Sequence, residues 1–166
     1  AYNEFRLLLK RAMGNIPVSV VYDGSIADDA VFDENAKYLS IGQTKLIEMA
    51  NVQYDAEALS INGVRIVTVG KSIFLIGGTW YGTANAVYDF FNICFNYEIY
   101  TKNCFEIDTN VQNLKLKNFD VTDLPDVELN VVTHGPLHSF KTARDTDYKA
   151  MLTDNVTKED VNNEIY

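Results

Sequence analysis

The chain has 166 residues, which suffices for one domain of ordinary size with a sizeable hydrophobic core. Its net charge of −9 argues against electrostatic binding to nucleic acid or to an anionic membrane surface, and it is typical of a soluble protein. No apolar run approaches the roughly 18 residues of a membrane-spanning helix, and no signal peptide is recognisable.

The first part of the chain predicts short helices and strands in alternation. A helix is expected from Asn3 to Met13, because apolar residues recur at helical spacing and Gly14 follows as a stop. Val18 to Tyr22 predicts a strand, and the acid-rich stretch from Gly24 to Lys37 predicts a surface excursion without calcium-loop spacing. The next expected elements are a strand from Tyr38 to Ile41, a short helix from Gln43 to Ala50 and an irregular connection from Asn51 to Leu59.

The centre of the chain is a hairpin followed by the most apolar helix. Val64 to Val69 and Ile73 to Ile76 predict strands joined by a three-residue turn, Gly70-Lys71-Ser72. A helix is predicted from Trp80 to Phe95, with Thr79 as its cap and one narrow polar stripe: Asn85, Asp89, Asn92 and Asn96. We expect a helix with so little polar surface to pack on a sheet and to contact something else as well.

The last part of the chain loses this regularity. Short strands are expected at Tyr97 to Tyr100 and at Phe105 to Ile107. Leu114 to Phe119 predicts an edge strand protected by alternating lysines, and Val127 to Thr133 predicts a last strand. From Ser139 to Tyr166 charged and amide residues dominate, which predicts a linker or the opening of another domain.

These elements predict an α+β fold with a mixed, mainly antiparallel sheet and helices packed on one face. The predicted domain covers residues 1–138, and residues 139–166 are expected to form the linker or the start of a following domain. Gly77 and Gly78 predict a tight turn that lets the central helix pack closely on this sheet.

Three segments in a fixed order resemble a known domain type. Ile41 to Leu46 reads IGQTKL, Gly63 to Gly78 reads GVRIVTVGKSIFLIGG, and Tyr81 to Phe91 reads YGTANAVYDFF. Their order is similar to that in the small α/β domain that precedes the catalytic barrel of β-hexosaminidases, α-glucuronidases and related glycoside hydrolase-like proteins of gut bacteria. Asn96 stands where that family tends to have glycine, and Asp120 to Leu129 is similar to the segment that leads into the barrel.

The resemblance implies a hexosaminidase domain 2-like fold and a non-catalytic accessory role in carbohydrate degradation. In this family the acid and the base lie on the barrel, so no catalytic residue carries over to this chain and no cofactor is implied. The expected partner is a barrel domain C-terminal to Tyr166, because a barrel needs roughly 250 residues of its own. The resemblance also implies an extracellular or cell-surface location.

An independent enzyme is an alternative that would need chemistry within the chain itself. His134 and His138 are the two histidines, but Gly135-Pro136 between them argues against the helix on which they could share a zinc ion. The clustered carboxylates carry no sign of a desolvated acid: Asp120, Asp123, Asp126, Glu128, Asp145 and Asp147. We therefore predict no catalytic and no metal site.

The two cysteines, Cys94 and Cys104, are too few for a disulfide framework or a metal site. A bridge between them is geometrically possible across the turn after the central helix. Cys94 is expected instead to be buried as a small hydrophobic residue.

Trp80 and Tyr81 are the candidate substrate-binding residues, at the head of the central helix. If their rings are exposed they can stack on sugars, and the alternative function is a free-standing carbohydrate-binding module. Large aromatic residues are usually mostly buried, so packing in the core or against a barrel is the favoured interpretation.

Overall fold

The computed structural model describes residues 1–101, 104–112, 114 and 117–124. The helices are α1 (Tyr2–Met13), α2 (Lys45–Met49), α3 (Ala56–Leu59) and α4 (Trp80–Phe95). The strands are β1 (Leu39–Ile41), β2 (Val64–Val69), β3 (Ser72–Gly77), β4 (Glu98–Thr101), β5 (Cys104–Glu106) and β6 (Asp120–Asp123). The predicted α+β class is confirmed.

Four of the strands form a mixed sheet in the order β1–β3–β2–β6. β1 runs parallel to β3, with Ser40 opposite Phe74, whereas β2 is antiparallel to both β3 and β6. β4 and β5 form a separate antiparallel pair. The chain passes through α2 and α3 between β1 and the hairpin, which gives β1 the long connection that a parallel neighbour requires. The prediction of a mixed, mainly antiparallel sheet is therefore confirmed.

The β2–β3 hairpin closes with two loop residues rather than the predicted three. The last residue of β2 pairs with Ser72, so the loop consists of Gly70 and Lys71. Gly70 has a φ of +58°, and a residue with positive φ at the first loop position matches the right-handed twist of the strands. Ser72 belongs to β3, where its Oγ donates a hydrogen bond to the carbonyl of Ala36 at 2.9 Å.

The larger core lies between one face of the sheet and the helices α1 and α4. Ile66 and Leu75 of the hairpin are fully buried in it, together with Phe91 of α4. Phe5 of α1 packs on Phe91, with the ring centroids 5.3 Å apart. α4 is thus covered by the sheet and by α1, which accounts for its apolar sequence within the domain itself.

A smaller core covers the opposite face of the sheet, so helices pack on both faces, where the sequence predicts them on one. Phe74 and Ile76 alternate along β3 with residues of the larger core, and both are fully buried. Ile47 of α2 and Leu59 of α3 pack with them. Because β3 is apolar on both faces, it needs a cover on each side.

The connection from Asn51 to Leu59 is less irregular than predicted, since it ends in α3. Asp55 caps this helix, because its Oδ1 accepts hydrogen bonds from the backbone N–H groups of Glu57 and Ala58, each at 3.0 Å. α3 has only four residues, which is too short for a periodic apolar pattern to reveal it.

Two predicted strands are not formed in the described residues. Val18 to Tyr22 is exposed and pairs with no strand. Leu114 and residues 117–119 also lie outside any strand, and the strand at that edge of the sheet is β6, which begins directly after them. Phe119 is buried and exchanges hydrogen bonds with Thr68 of β2, so the chain joins the sheet at this point rather than earlier.

Both ends of α4 are fixed by identifiable groups. Thr79 Oγ1 accepts a hydrogen bond from the N–H of Tyr81 at 3.1 Å and donates one to the carbonyl of Ile61 at 2.6 Å, so the predicted cap is confirmed. Asn96 ends the helix with a φ of +50°, and its N–H donates to the carbonyl of Asn92 at 3.0 Å. Asparagine tolerates this left-handed conformation, so the turn forms without glycine.

The predicted strand from Val127 to Thr133, the predicted domain end at residue 138 and the segment 139–166 lie outside the described residues. Within the part of the chain that the structure describes, no helix is long and apolar enough to cross a membrane.

Candidate functional site

A cleft of about 330 Å³ lies at the head of α4, next to the ends of β1 and β3. Its lining consists of Ala1, Gly42, Gln43, Gly77, Gly78, Thr79, Trp80 and Thr83. None of these side chains is charged, and the polar ones are an amide, two hydroxyls and the indole N–H. The lining side chains therefore offer neutral hydrogen-bonding groups beside an aromatic ring, and the amino group of Ala1 lies among them.

Glycines shape this cleft because the backbone of α4 comes close to the end of the sheet. A Cβ on Gly77 would meet the backbone nitrogen of Thr83 and the carbonyl carbon of Gly82. A Cβ on Gly82 would lie 2.5 Å from the carbonyl oxygen of Gly63. These glycines serve the close packing of helix on sheet that the sequence predicts.

Trp80 and Tyr81 are exposed, so they do not pack in the core of this domain, and packing against a barrel stays a prediction. Trp80 is 68% exposed and Tyr81 is 42% exposed. Their rings stack on each other, with centroids 3.5 Å apart and planes at 28°. The buried side of α4 begins only at Gly82 and Thr83, so the first two residues of the helix project from the core. They form an exposed aromatic pair, and Trp80 also lines the cleft.

A larger groove of about 610 Å³ runs between α1 and the segment that follows it. We call it the apolar groove and define it by five of its lining residues: Phe5, Leu9, Ile16, Val18 and Val20. The last three are 40–54% exposed. Exposed apolar side chains that line one groove make it a candidate interaction surface.

The rim of the apolar groove has two further properties that bear on a partner. Residues 18–21 make no backbone–backbone hydrogen bond within the described residues. Arg6 and Lys10 also line the groove and bring positive charge to it, in a chain whose net charge is −9.

Asp89 is a half-buried carboxyl group that the sequence marks only as part of the polar stripe of α4. Burial raises its pKa above the usual value, and the negative charge of Asp123 on β6 raises it further. Asp120, the neighbouring acid on β6, forms an ion pair with Arg65, with 2.6 Å between its Oδ1 and the guanidinium nitrogen. Asp89 lines neither the cleft nor the apolar groove, so its raised pKa does not define a catalytic acid. Sequence alone does not bring Asp123 near it, because that depends on the pairing of β6 with β2.

The other candidate acids and bases lie outside the described residues: Asp126, Glu128, His134, His138, Asp145 and Asp147. In the described ranges, no group of three or more histidine, cysteine, aspartate or glutamate side chains could hold a metal ion.

Cys94 and Cys104 are both free thiols, so the bridge between them is not formed. Cys94 is half-buried, and burial raises its pKa to about 11, although Lys117 opposes that shift. A raised pKa favours the protonated thiol at neutral pH, in keeping with a small hydrophobic role for Cys94.

No model of a known protein family matches this chain, and searches among curated proteins and solved structures find no significant match. The candidate surfaces therefore rest on geometry: an exposed aromatic pair beside a cleft with uncharged side chains, and an apolar groove with a cationic rim.

Proposed function

We propose that this is a non-catalytic accessory domain of a glycoside hydrolase-like protein, which packs against and orients a barrel domain C-terminal to Tyr166. The order and spacing of the IGQTKL, hairpin and YGTANAVYDFF segments support the family. The α+β class with a mixed sheet is compatible with it.

The observation that carries the docking role is the apolar groove. α4 needs no outside cover, since α1 and the sheet bury it, whereas Ile16, Val18 and Val20 keep much of their surface in water. Covering such surface gains about 25 cal/mol for each Å² removed from water. A neighbouring domain that fills the groove would gain this term, and acidic side chains on it would complement Arg6 and Lys10.

The first test is the length of the parent open reading frame. We expect it to continue past Tyr166 for at least the roughly 250 residues of a barrel, with alternating strands and helices. A frame that stops near Tyr166 would contradict the docking role.

The second test is hydrogen exchange in the longer protein. The amides of Val18 to Val21 should exchange slowly there and fast in the 166-residue chain, since a docked barrel would cover them. A Val20→Asp substitution should abolish that protection, and Val31→Asp is the matched control because Val31 is 89% exposed and lies outside the groove lining. Equal exchange in both proteins would mean that the groove is not the docking face.

A further inference from the structure

We propose that the cleft at the head of α4, together with Trp80, binds one neutral sugar ring of an oligosaccharide. This role is separate from that of the apolar groove, and either can fail without the other.

The exposed ring of Trp80 is the first argument. An indole buries more apolar surface than most side chains when it is covered, yet this one is 68% exposed. Tyr81 already occupies one face of the indole. A ligand would therefore stack on the opposite face, and a pyranose ring presents the flat C–H surface that suits it.

The size and chemistry of the cleft are the second argument. At about 330 Å³ it lies at the small end of the range for ligand sites, which fits one ring better than a chain of rings. The Nε2 of Gln43 makes a long contact of 3.4 Å to the carbonyl of Gly77, and its Oε1 accepts no hydrogen bond from the described residues. The Gln43 amide can therefore bind a sugar hydroxyl without breaking a strong bond.

A buried hydroxyl adds a fixed acceptor to the same cleft. Thr83 is only 7% exposed, and its Oγ1 donates a hydrogen bond to the carbonyl of Thr79 at 2.9 Å. The Thr83 hydroxyl already donates its proton to Thr79. The lone pairs of its oxygen remain available to accept a hydrogen bond from a hydroxyl group in the cleft. Hydroxyl donors on the ligand, rather than acceptors alone, match this arrangement.

The position of the exposed aromatic pair is also fixed in the absence of a ligand. Thr79 caps α4 by bonding both Tyr81 and the carbonyl of Ile61, and the helix then packs directly on the sheet through Gly77 and Gly82. A rigid site loses little conformational entropy on binding, so one stacked ring with a few hydrogen bonds can give measurable affinity.

The lining side chains carry no charge, which favours a neutral ring and a binding role. A sugar acid would find no cationic side chain in the cleft, where the amino group of Ala1 is the one basic group among the lining residues. Glycosidic cleavage would need two carboxyl groups, and the lining supplies none. The geometry therefore favours binding of a neutral sugar without cleavage.

Trp80 is the sole tryptophan, so fluorescence excited at a wavelength where the ten tyrosines do not absorb reports on this site. We would titrate the chain with maltohexaose, cellohexaose and N-acetylchitotriose, and with trigalacturonic acid as the charged comparison. At least one neutral oligosaccharide should change the emission in a saturable way, with a midpoint in the millimolar range, on the order of that of other weak sites. No saturable change with any of the three at about ten times that concentration would overturn the proposal.

Substitutions test the location of the site. Binding is measured by calorimetry, because the Trp80→Ala variant has no tryptophan to report on it. Trp80→Ala should weaken binding at least tenfold and Gln43→Ala several-fold, while both keep the unfolding temperature of the wild type. Tyr22→Ala is the matched control, since Tyr22 is 74% exposed and lies outside the cleft lining. Wild-type affinity in Trp80→Ala would overturn the assignment, as would stronger binding of trigalacturonic acid than of every neutral sugar.

Discussion

Two short runs of similar composition differ in burial and in secondary structure in this domain. Val18 to Tyr22 and Ile73 to Ile76 are both rich in β-branched and aromatic residues, which favour strands. The second run is buried on both faces within β3, with no residue more than 4% exposed. The first is exposed along its length and forms no strand in the described residues.

The difference teaches that strand propensity describes a fit to a paired, half-buried surface rather than an independent preference of the backbone. Residues 73–76 have β1 and β2 as neighbours and a packed layer above and below. Residues 18–22 have neither neighbour nor layer in the described part of the chain. An apolar run without neighbours is therefore a place to look for a partner.

The largest effect should come from removing a ring from the buried run. Phe74 is fully buried in the smaller core, so Phe74→Ala should lower the free energy of unfolding by about 3–5 kcal/mol. Urea denaturation measures this change. Tyr22→Ala, in the exposed run, should cost less than about 0.5 kcal/mol. Similar losses for the two variants would break the contrast between the runs.

The next effect concerns the glycine that ends β3. In Gly77→Ala the new Cβ would meet backbone atoms of Gly82 and Thr83, which cannot rotate away as a flexible side chain could. We expect a loss of about 3 kcal/mol, at the upper end of the range for overpacked sites. Gly24→Ala is the control, because a Cβ on Gly24 would meet nothing within 4 Å beyond its chain neighbours. Thermal unfolding of both should show a clear drop for Gly77→Ala alone.

A half-buried group should give an intermediate and pH-dependent effect. Because the folded-state pKa of Asp89 is raised, protonated Asp89 favours the folded state. That stability is fully present below the ordinary aspartate pKa of 3.8 and is lost as the pH rises through the folded-state pKa. Asp89→Asn should therefore stabilise the domain at pH 7 by roughly 0.5 kcal/mol and gain nothing at lower pH. A gain that persists at about pH 3, where the carboxyl group is protonated in both states, would point to packing rather than charge.

The smallest effect should come from Val20→Ser in the exposed run. Val20 has no strand neighbour to lose in the described residues, so the free energy of unfolding should change by less than about 0.5 kcal/mol. Differential scanning calorimetry would check it. A loss above about 1 kcal/mol would show that this run is packed in solution and that the two runs are more alike than the structure indicates.

Much of the fold follows from local patterns. α1, α4 and the hairpin are strongly periodic, and Thr79 and Gly14 mark their ends, so their bounds agree with the sequence to within a residue or two. The errors have a common cause in tertiary context. α3 depends on a cap and on the face of β3 that Leu59 covers, and β6 is placed by its pairing with β2 rather than by the lysine alternation before it.

In the candidate site, too, some features follow from local sequence and others depend on tertiary context. The sequence marks Trp80 and Tyr81 as aromatic residues in a glycine turn, but whether they are buried depends on where the inward side of α4 begins. Gln43 lies in the IGQTKL segment, but the sequence does not place it beside Trp80, because that depends on β1 and β3 ending side by side. The hexosaminidase domain 2-like fold remains a prediction, and the α+β class with a mixed sheet is what the structure confirms.

The late position of β6 has a consequence for synthesis. Val64 pairs with Asp123, so β2 has a neighbour on one side only until almost 60 further residues have left the ribosome. During that interval its free edge is a template on which another nascent chain can add a strand. A translation product that ends before Asp120 would contain both long helices and the hairpin. The edge of β2 would stay unpaired in it, so the product would be prone to aggregate.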